Sequence, residues 1–404
     1  MKRTRIHFQW SAEKPQAQFR TAVSLHSHTL HSREPLDFFY RIAKHCAPAR
    51  WALRWTEARY QAHYSAPLDL HRGWWTPPLA PRDAYSVEFD QITSMGLAPV
   101  VSLTDHDDIE ASISMQAIET SGSIPISVEW TVPFRNTFFH LGVHNLAPNR
   151  AHATMDRLKA FTKCPRESGL RAILADLHAQ RGTLTVFNHP LWDETGIGTE
   201  RHRTAVLALL SQYGEYLHAV ELNGLRPWRE NASAIRLASD WAKPVISGGD
   251  RHVIEPNATL NLTNAVCFAE FASEIRSGWS DVLLASHYRI PYGTRVFHNV
   301  LDVFRTYEDH GLGWTDWPDR VFYTLADGTS ASLSQLWGNR PPLPVVVLAG
   351  FLQFAGQRSM RYPVRAAALG AESESCLDRA TGLDEHAQKG PIVLGPVQIE
   401  FPTR

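Results

Sequence analysis

The sequence predicts an α/β fold built on parallel strands and closed into a barrel. Two observations predict it. Helix-like amphipathic segments alternate with short apolar strand-like runs through the middle of the chain. Strand after strand is also followed at its C-terminal end by side chains suited to metal binding or acid–base work, and in a parallel barrel those ends meet at one mouth. An open sheet would gather fewer of them.

The elements follow in order. Ala22-Val-Ser-Leu25 reads as a strand and runs into His26-Ser-His28. Tyr85, Phe89, Ile92 and Met95 repeat at helical spacing, Gly96 suits the helix end, and Pro99-Val-Val-Ser-Leu103 is a buried strand ahead of Thr104-Asp-His106. Leu170, Ile173, Leu174 and Leu177 mark the next helix, which Gly182 closes. The strand Thr183–Phe187 follows and leads to Asn188-His-Pro190. Val206, Leu207, Leu209 and Leu210 precede the strand His218–Leu222, which ends in Glu-Leu-Asn223. A helix over Ala232–Trp241 leads into Val245-Ile-Ser247 and then Gly248-Gly-Asp-Arg-His252.

Two stretches break this rhythm. Residues 45–81, rich in Trp, Arg, Tyr and Pro and including Gly73-Trp-Trp-Thr-Pro-Pro78, read as a helical insertion with a Pro-rich loop over the mouth. The chain then divides into a metal-binding barrel over 1–295 and a C-terminal extension over 296–404 with no assigned role. That extension has a helix-like Phe297–Tyr307, a turn at Asp327-Gly328, an apolar Pro344–Leu348 and a polar, loop-like Gly370–Gly390. No repeat at a solenoid period is present.

The 404 residues carry 40 Lys and Arg against 41 Asp and Glu, so no diffuse positive field favours general nucleic-acid or membrane-surface binding. A hydrophobic content of 44% supplies a core and excludes wholesale disorder. Cys46, Cys164, Cys267 and Cys376 form no C-x-x-C pair, which suits neither a zinc knuckle nor a disulfide scaffold. The basic start continues into polar residues rather than a signal peptide, and the longest apolar run, around Leu343–Phe354, is too short to span a bilayer. A reduced, cytoplasmic location is the expectation. The oligomeric state has no sequence signal.

Histidine is the unusual residue, at 20 copies. His26 and His28, spaced by two on a strand, would point the same way and form half of a divalent-metal site. His106 adds a ring flanked by Asp105 and Asp107. Glu129 ends the apolar run Ile124–Val128, His140 follows Thr137-Phe-Phe139, His189 follows a strand, and Asp250 and His252 follow another. This mixed nitrogen and oxygen set suits Zn, Mn or Fe.

In this order, His-Ser-His-Thr, Thr-Asp-His-Asp, Glu129, Asn-His-Pro, Glu-Leu-Asn and Gly-Gly-Asp-Arg-His resemble the PHP (polymerase and histidinol phosphatase) metallophosphoesterases over about residues 20 to 255. The resemblance implies a distorted TIM-like barrel of seven β/α units holding two or three divalent metals (Zn, Mn or Fe, with Mg also compatible). One metal would lie near His26, His28, Glu129 and Asp250. A second would lie near His106 and His252, and a third near His140 and His189 with Glu129 bridging. The chain departs from the family at Ser32-Arg-Glu34, where an Asp or His ligand is usual; Glu34 is the replacement ligand by a one-residue shift, with His31 as the alternative.

Clustered metals suit hydrolysis of a phosphate ester by an activated water, and no G-x-S-x-G elbow or Walker loop offers another route. His189 and His252 are the candidates to protonate the leaving oxygen, with Asp105 a third acid–base candidate. Of Arg33, Arg135, Arg226, Arg229 and Arg251, all near strand-end motifs, Arg135 and Arg251 are the favoured phosphate contacts, followed by Arg33. The expected substrate is a small phosphorylated metabolite, a nucleotide or an oligonucleotide end. The alternatives are a metal-dependent amide or lactone hydrolase, and a catalytically idle metal-binding or interaction protein.

Overall fold

The strands come from short runs dense in Val, Leu and Ile, buried on both faces as parallel strands require. A computed structural model describes residues 3–45, 47–118, 124–338, 341–357, 360 and 391–394. The segment Gly370–Gly390, Cys46 and Cys376 lie outside the described residues. The first hundred residues contribute β1 (Arg3–Phe8), β2 (Thr21–Ser24), β3 (Glu34–Pro35), β4 (Gly73–Trp75) and β5 (Ala98–Val101). Next come β6 (Val128–Phe134), β7 (Thr137–His144), β8 (Leu184–Phe187), β9 (Ala219–Asn223) and β10 (Val245–Gly248). The last are β11 (Thr259–Thr263), β12 (Trp279–Leu284), β13 (Val321–Thr324), β14 (Ser330–Ser332) and β15 (Ile392–Leu394).

These strands form an α/β fold of mixed sheets, not the closed parallel barrel expected. One sheet has the order β15-β1-β12-β11-β2-β5, a second β10-β9-β8-β7-β6, and a third, smaller one β14-β13-β4-β3. β2 with β5, β8 with β9, β9 with β10 and β1 with β12 are parallel. β6 with β7, β7 with β8, and β11 with both its neighbours are antiparallel. An antiparallel return needs only a turn, such as Arg135-Asn136 between β6 and β7, and no crossover helix. The two large sheets meet at isolated bridges, Ser27 with Arg251 and His106 with Glu129.

Helices pack against these sheets along the predicted faces. Glu167–Ala179 buries Leu170, Ile173, Leu174 and Leu177. Thr199–Tyr213 buries Val206, Leu209 and Leu210, whereas Leu207 faces solvent. Trp130 on β6 is fully buried against Phe161, and its indole N–H donates to Thr162 Oγ1 at 3.1 Å.

The small sheet joins distant parts of the chain. β3 and β4 bracket the helices Phe38–His45 and Ala47–Tyr64, and β4 pairs with β13 of the C-terminal stretch. Trp74 stacks on Phe322 with ring centroids 4.3 Å apart. β13 and β14 flank the predicted Asp327-Gly328 turn, where Asp327 accepts from Thr329. Among the described residues no helix is long and apolar enough to cross a membrane.

His144, on β7 beneath the strand ends, is buried and bonded through Nδ1 to Ser102 Oγ at 2.8 Å. Burial, aided by nearby His26, pulls its pKa down to about 3. The unfolded chain binds this proton near pH 6.5 and the folded protein does not. The stabilising contribution is therefore complete above pH 6.5 and falls by about 1 kcal/mol per pH unit as pH drops toward 3. Urea unfolding at pH 7, 6 and 5 should show His144→Gln losing stability less steeply than the parent; equal slopes would show that His144 does not set this dependence.

Candidate metal centre

Three strands end in the same way. His26, His189 and Asp250 each lie two residues past β2, β8 and β10, and each has a positive φ, of 65°, 24° and 56°. A left-handed backbone at a non-glycine residue costs about 1–3 kcal/mol and persists only where surrounding contacts enforce it. The turn after β2 also corrects the expectation of His-x-His on a strand. β2 stops at Ser24, and the two imidazoles converge through this kink rather than by strand alternation, with His28 N donating to Arg251 O at 2.8 Å. Glu129 likewise lies at the start of β6 and His140 inside β7, because the hairpin runs past the site.

The donor atoms then converge. His26 Nε2 and His28 Nε2 lie 2.9 and 3.2 Å from Glu129 Oε2, and Asp250 Oδ1 is 3.6 and 3.5 Å from the same two nitrogens. Glu34 stands between His106 Nε2 and His252 Nε2, at 3.3 Å from each. His189 Nε2 and His140 Nδ1 face the other Glu129 oxygen, Oε1, at 3.1 and 3.6 Å. Four overlapping groups able to hold an ion result: His28, Glu34, His106 and His252; His26, His189 and Asp250; His26, His28 and Glu129; and His106, Glu129 and His140. His31 belongs to none of them.

The site fits divalent metal on its own chemistry. His26 Nε2, His28 Nε2 and Glu129 Oε2 are buried and make no hydrogen bond. Buried polar atoms without a hydrogen bond are costly, and two imidazole nitrogens crowded against one carboxylate oxygen without hydrogen-bond geometry are the arrangement that a shared cation would satisfy. The electrostatics agree. Burial would raise the Glu129 carboxyl, but His26, His106 and His140 hold it well below the carboxylate range. Burial acts on Glu34 in the same sense, and His106 and His252 outweigh it. Burial and the neighbouring His106 and His189 push His140 well below the usual imidazole value despite Glu129, leaving its ring neutral with a lone pair to offer.

Several supporting groups escaped the sequence reading. Glu221 Oε1 meets His26 Nδ1 at 2.5 Å, while Oε2 accepts His189 N at 2.7 Å and Asn223 Nδ2 at 3.0 Å. Its signal was the Glu-Leu-Asn motif at the end of β9. Ser32 Oγ donates to Glu34 at 2.8 Å and accepts from His106 N at 3.1 Å, so the unusual Ser-Arg-Glu segment is fastened at both ends. Asn188 Nδ2 donates to Glu129 Oε1 at 2.9 Å. Glu194, 3.6 Å from His140 and raised in pKa mainly by burial, sits in a loop without periodicity and gave no signal.

Other expected residues lie outside the clusters. Asp105 accepts from Thr29 N and Oγ1 at 2.6 and 2.7 Å and braces the turn after His28. Arg251, expected at the substrate, is buried instead. Its Nε donates to Glu88 at 2.7 Å and its other nitrogens to the Val253 and Ala84 carbonyls, so each of the three nitrogens is already engaged within the protein. Arg135 caps the β6–β7 hairpin over Phe134, five residues or roughly 16 Å of extended strand beyond His140. Arg33 is exposed over Trp74 beside Glu34, and Arg229 is exposed on its helix.

No protein-family model matches the chain, and no curated protein matches it either. Several solved structures resemble it distantly, two of them as follows. An amidohydrolase from Chromobacterium violaceum, with bound sulfate and no metal, has 16% identity and a TM-score of 0.30, covering 44% of this chain and 84% of its own. A candidate metal-dependent phosphoesterase from Bifidobacterium adolescentis has 14% identity and a TM-score of 0.28, with the same coverages.

The glycine pair before Asp250 is a steric requirement. A Cβ on Gly248 would fall on the Glu221 carboxylate, and one on Gly249 on the Asn257 carboxamide. Gly248→Ala should therefore push Glu221 off His26, lower stability by about 1–3 kcal/mol and reduce tightly held metal. Elemental analysis after gel filtration checks this, and unchanged metal content would contradict it.

Proposed function

We propose that this chain is a metal-dependent hydrolase of phosphate esters, acting on a small phosphorylated metabolite, a nucleotide or an oligonucleotide end. The observation that carries the reading is the convergence of unpaired, buried imidazole and carboxylate atoms on Glu129. His26, His28, Glu129 and Asp250 would hold one ion; Glu34, His106 and His252 a second; His140 and His189, both facing Glu129 Oε1, a third. Zn, Mn or Fe suits this donor set. When bound, such ions supply positive charge that polarises a phosphoryl group and acidifies water.

The chain's own residues supply the rest. His252, with a side chain 16% exposed, is the most open imidazole of the cluster, and His189, on Glu129, is 8% exposed. Burial opposes the charge on each ring, but carboxylates outweigh it and raise both pKa values, Glu34 for His252 and Glu129 for His189. Of these two rings, the one that an ion does not engage would keep its proton and deliver it to the leaving oxygen. Arg33 beside Glu34, backed by Trp74, is placed to meet a substrate phosphate at the rim.

An amide or lactone hydrolase built on a carboxylated lysine finds less support. Glu129 is the shared anion, Lys243 donates to the Leu217 carbonyl, and Lys159 pairs with Asp108 at a half-exposed surface.

Metal-replete protein offered a panel of phosphomonoesters, phosphodiesters, amides and lactones should release product only from the phosphate esters. Glu129→Gln should lower both metal content and rate by about 100-fold. Absence of turnover on every phosphate ester at full metal content would sink the proposal. For the proton donor, His252→Asn and His189→Asn are compared on alkyl and p-nitrophenyl phosphates. Replacing the true donor should slow the alkyl ester by about 100-fold or more and leave the nitrophenyl ester, whose leaving group needs no proton, nearly unaffected.

A further inference from the structure

Arg226 follows β9 in the turn Gly224-Leu-Arg-Pro227, and its backbone is pinned. Its carbonyl accepts from Tyr288 Oη at 3.0 Å and from Arg295 Nη2 at 3.2 Å, and its N–H donates to Asn223 O at 3.2 Å. The residue is only 9% exposed. Its guanidinium carbon sits 3.9 Å over the Trp192 ring, in the loop that follows His189. Nη2 reaches to 4.0 Å from Asp250 Oδ2 and Nε to 3.9 Å from Glu230, both beyond hydrogen-bond length. Nε is buried with no hydrogen-bond partner.

That is an uncommon state for an arginine. A guanidinium has five N–H donors, and burying it with donors unused is costly. Its buried counterparts are better engaged: Arg251 makes three hydrogen bonds, to Glu88 and two carbonyls, and Arg320 makes four, all to carbonyls. Asp250 divides its oxygens between the two sides of the centre. Oδ1 faces His26 and His28, while Oδ2 accepts from Asn223 and faces Arg226. A fixed cation with free donors, backed by an indole and adjoining a candidate metal ligand, is built to receive an anion that also reaches the centre.

We propose that Arg226, on its Trp192 platform, binds the phosphoryl oxygens of the substrate, which makes it the recognition residue in place of Arg251 and Arg135. The inference rests on the hydrolase reading for the substrate's identity. The anion site itself can be tested without any turnover.

The probe is inorganic phosphate titrated calorimetrically into full-length, metal-loaded protein. Arg226→Ala should weaken phosphate binding by about 10- to 100-fold with metal stoichiometry unchanged, and Arg226→Lys should restore part of the loss. In any active preparation the loss in kcat/KM should track the loss in phosphate affinity. If Arg226→Ala does not fold, Trp192→Leu removes the platform and should weaken phosphate binding by a smaller factor. Wild-type phosphate affinity in Arg226→Ala overturns the proposal. So does a loss of metal that parallels the loss of phosphate, since Arg226 would then act through Asp250. Phosphate binding that depends on Arg226 in a protein that hydrolyses no ester would leave this site standing and remove the hydrolase reading instead.

Discussion

One carboxylate organises this protein. Glu129 is fully buried, and five imidazoles face it: His26, His28 and His106 at one oxygen, His140 and His189 at the other, all within 3.6 Å. So many ionisable groups in a dry interior are unstable unless charges and donors are matched. The surrounding structure supplies part of that match through Asn188 on Oε1 and Glu221 on His26. The remaining atoms without hydrogen bonds, His26 Nε2, His28 Nε2 and Glu129 Oε2, lie together in an arrangement able to hold an ion.

The main-chain design follows from that demand. Strand ends deliver the candidate ligands, but plain strand geometry cannot aim them. Left-handed kinks at His26, His189 and Asp250 turn the side chains toward Glu129. A second ring of contacts keeps the kinks in place. Asp105 grips Thr29, Glu88 grips Arg251 between Asp250 and His252, and Asn257 ties Ser24 to Ser27. The local cost of the backbone is offset by these buried bonds.

Much of this was legible in the residues. Helical faces and parallel strands through the middle of the chain follow hydrophobic spacing, and the His and carboxylate residues singled out as ligands, including Glu34, do come together. The failures have physical causes. Spacing of apolar residues reports burial but not strand direction, so the antiparallel β6–β7 hairpin and the unclosed sheets were invisible. An arginine next to a motif has the right chemistry wherever it points; only the packing shows that Arg251 is consumed by Glu88 and Arg226 is not. Glu221 and Ser32 act through neighbours, and a motif says nothing of which ring a side chain supports.

The small sheet has a consequence for how the molecule matures. Glu34 sits on a two-residue strand whose partner, β4, is itself held by β13, nearly three hundred positions downstream. During synthesis every strand of the two large sheets except β15 leaves the ribosome before β13 emerges. A chain interrupted short of residue 321 would carry His106 and His252 but lack the clasp that keeps Glu34 between them. The place of Glu34 between His106 and His252 thus draws part of its support from a strand made late in the chain.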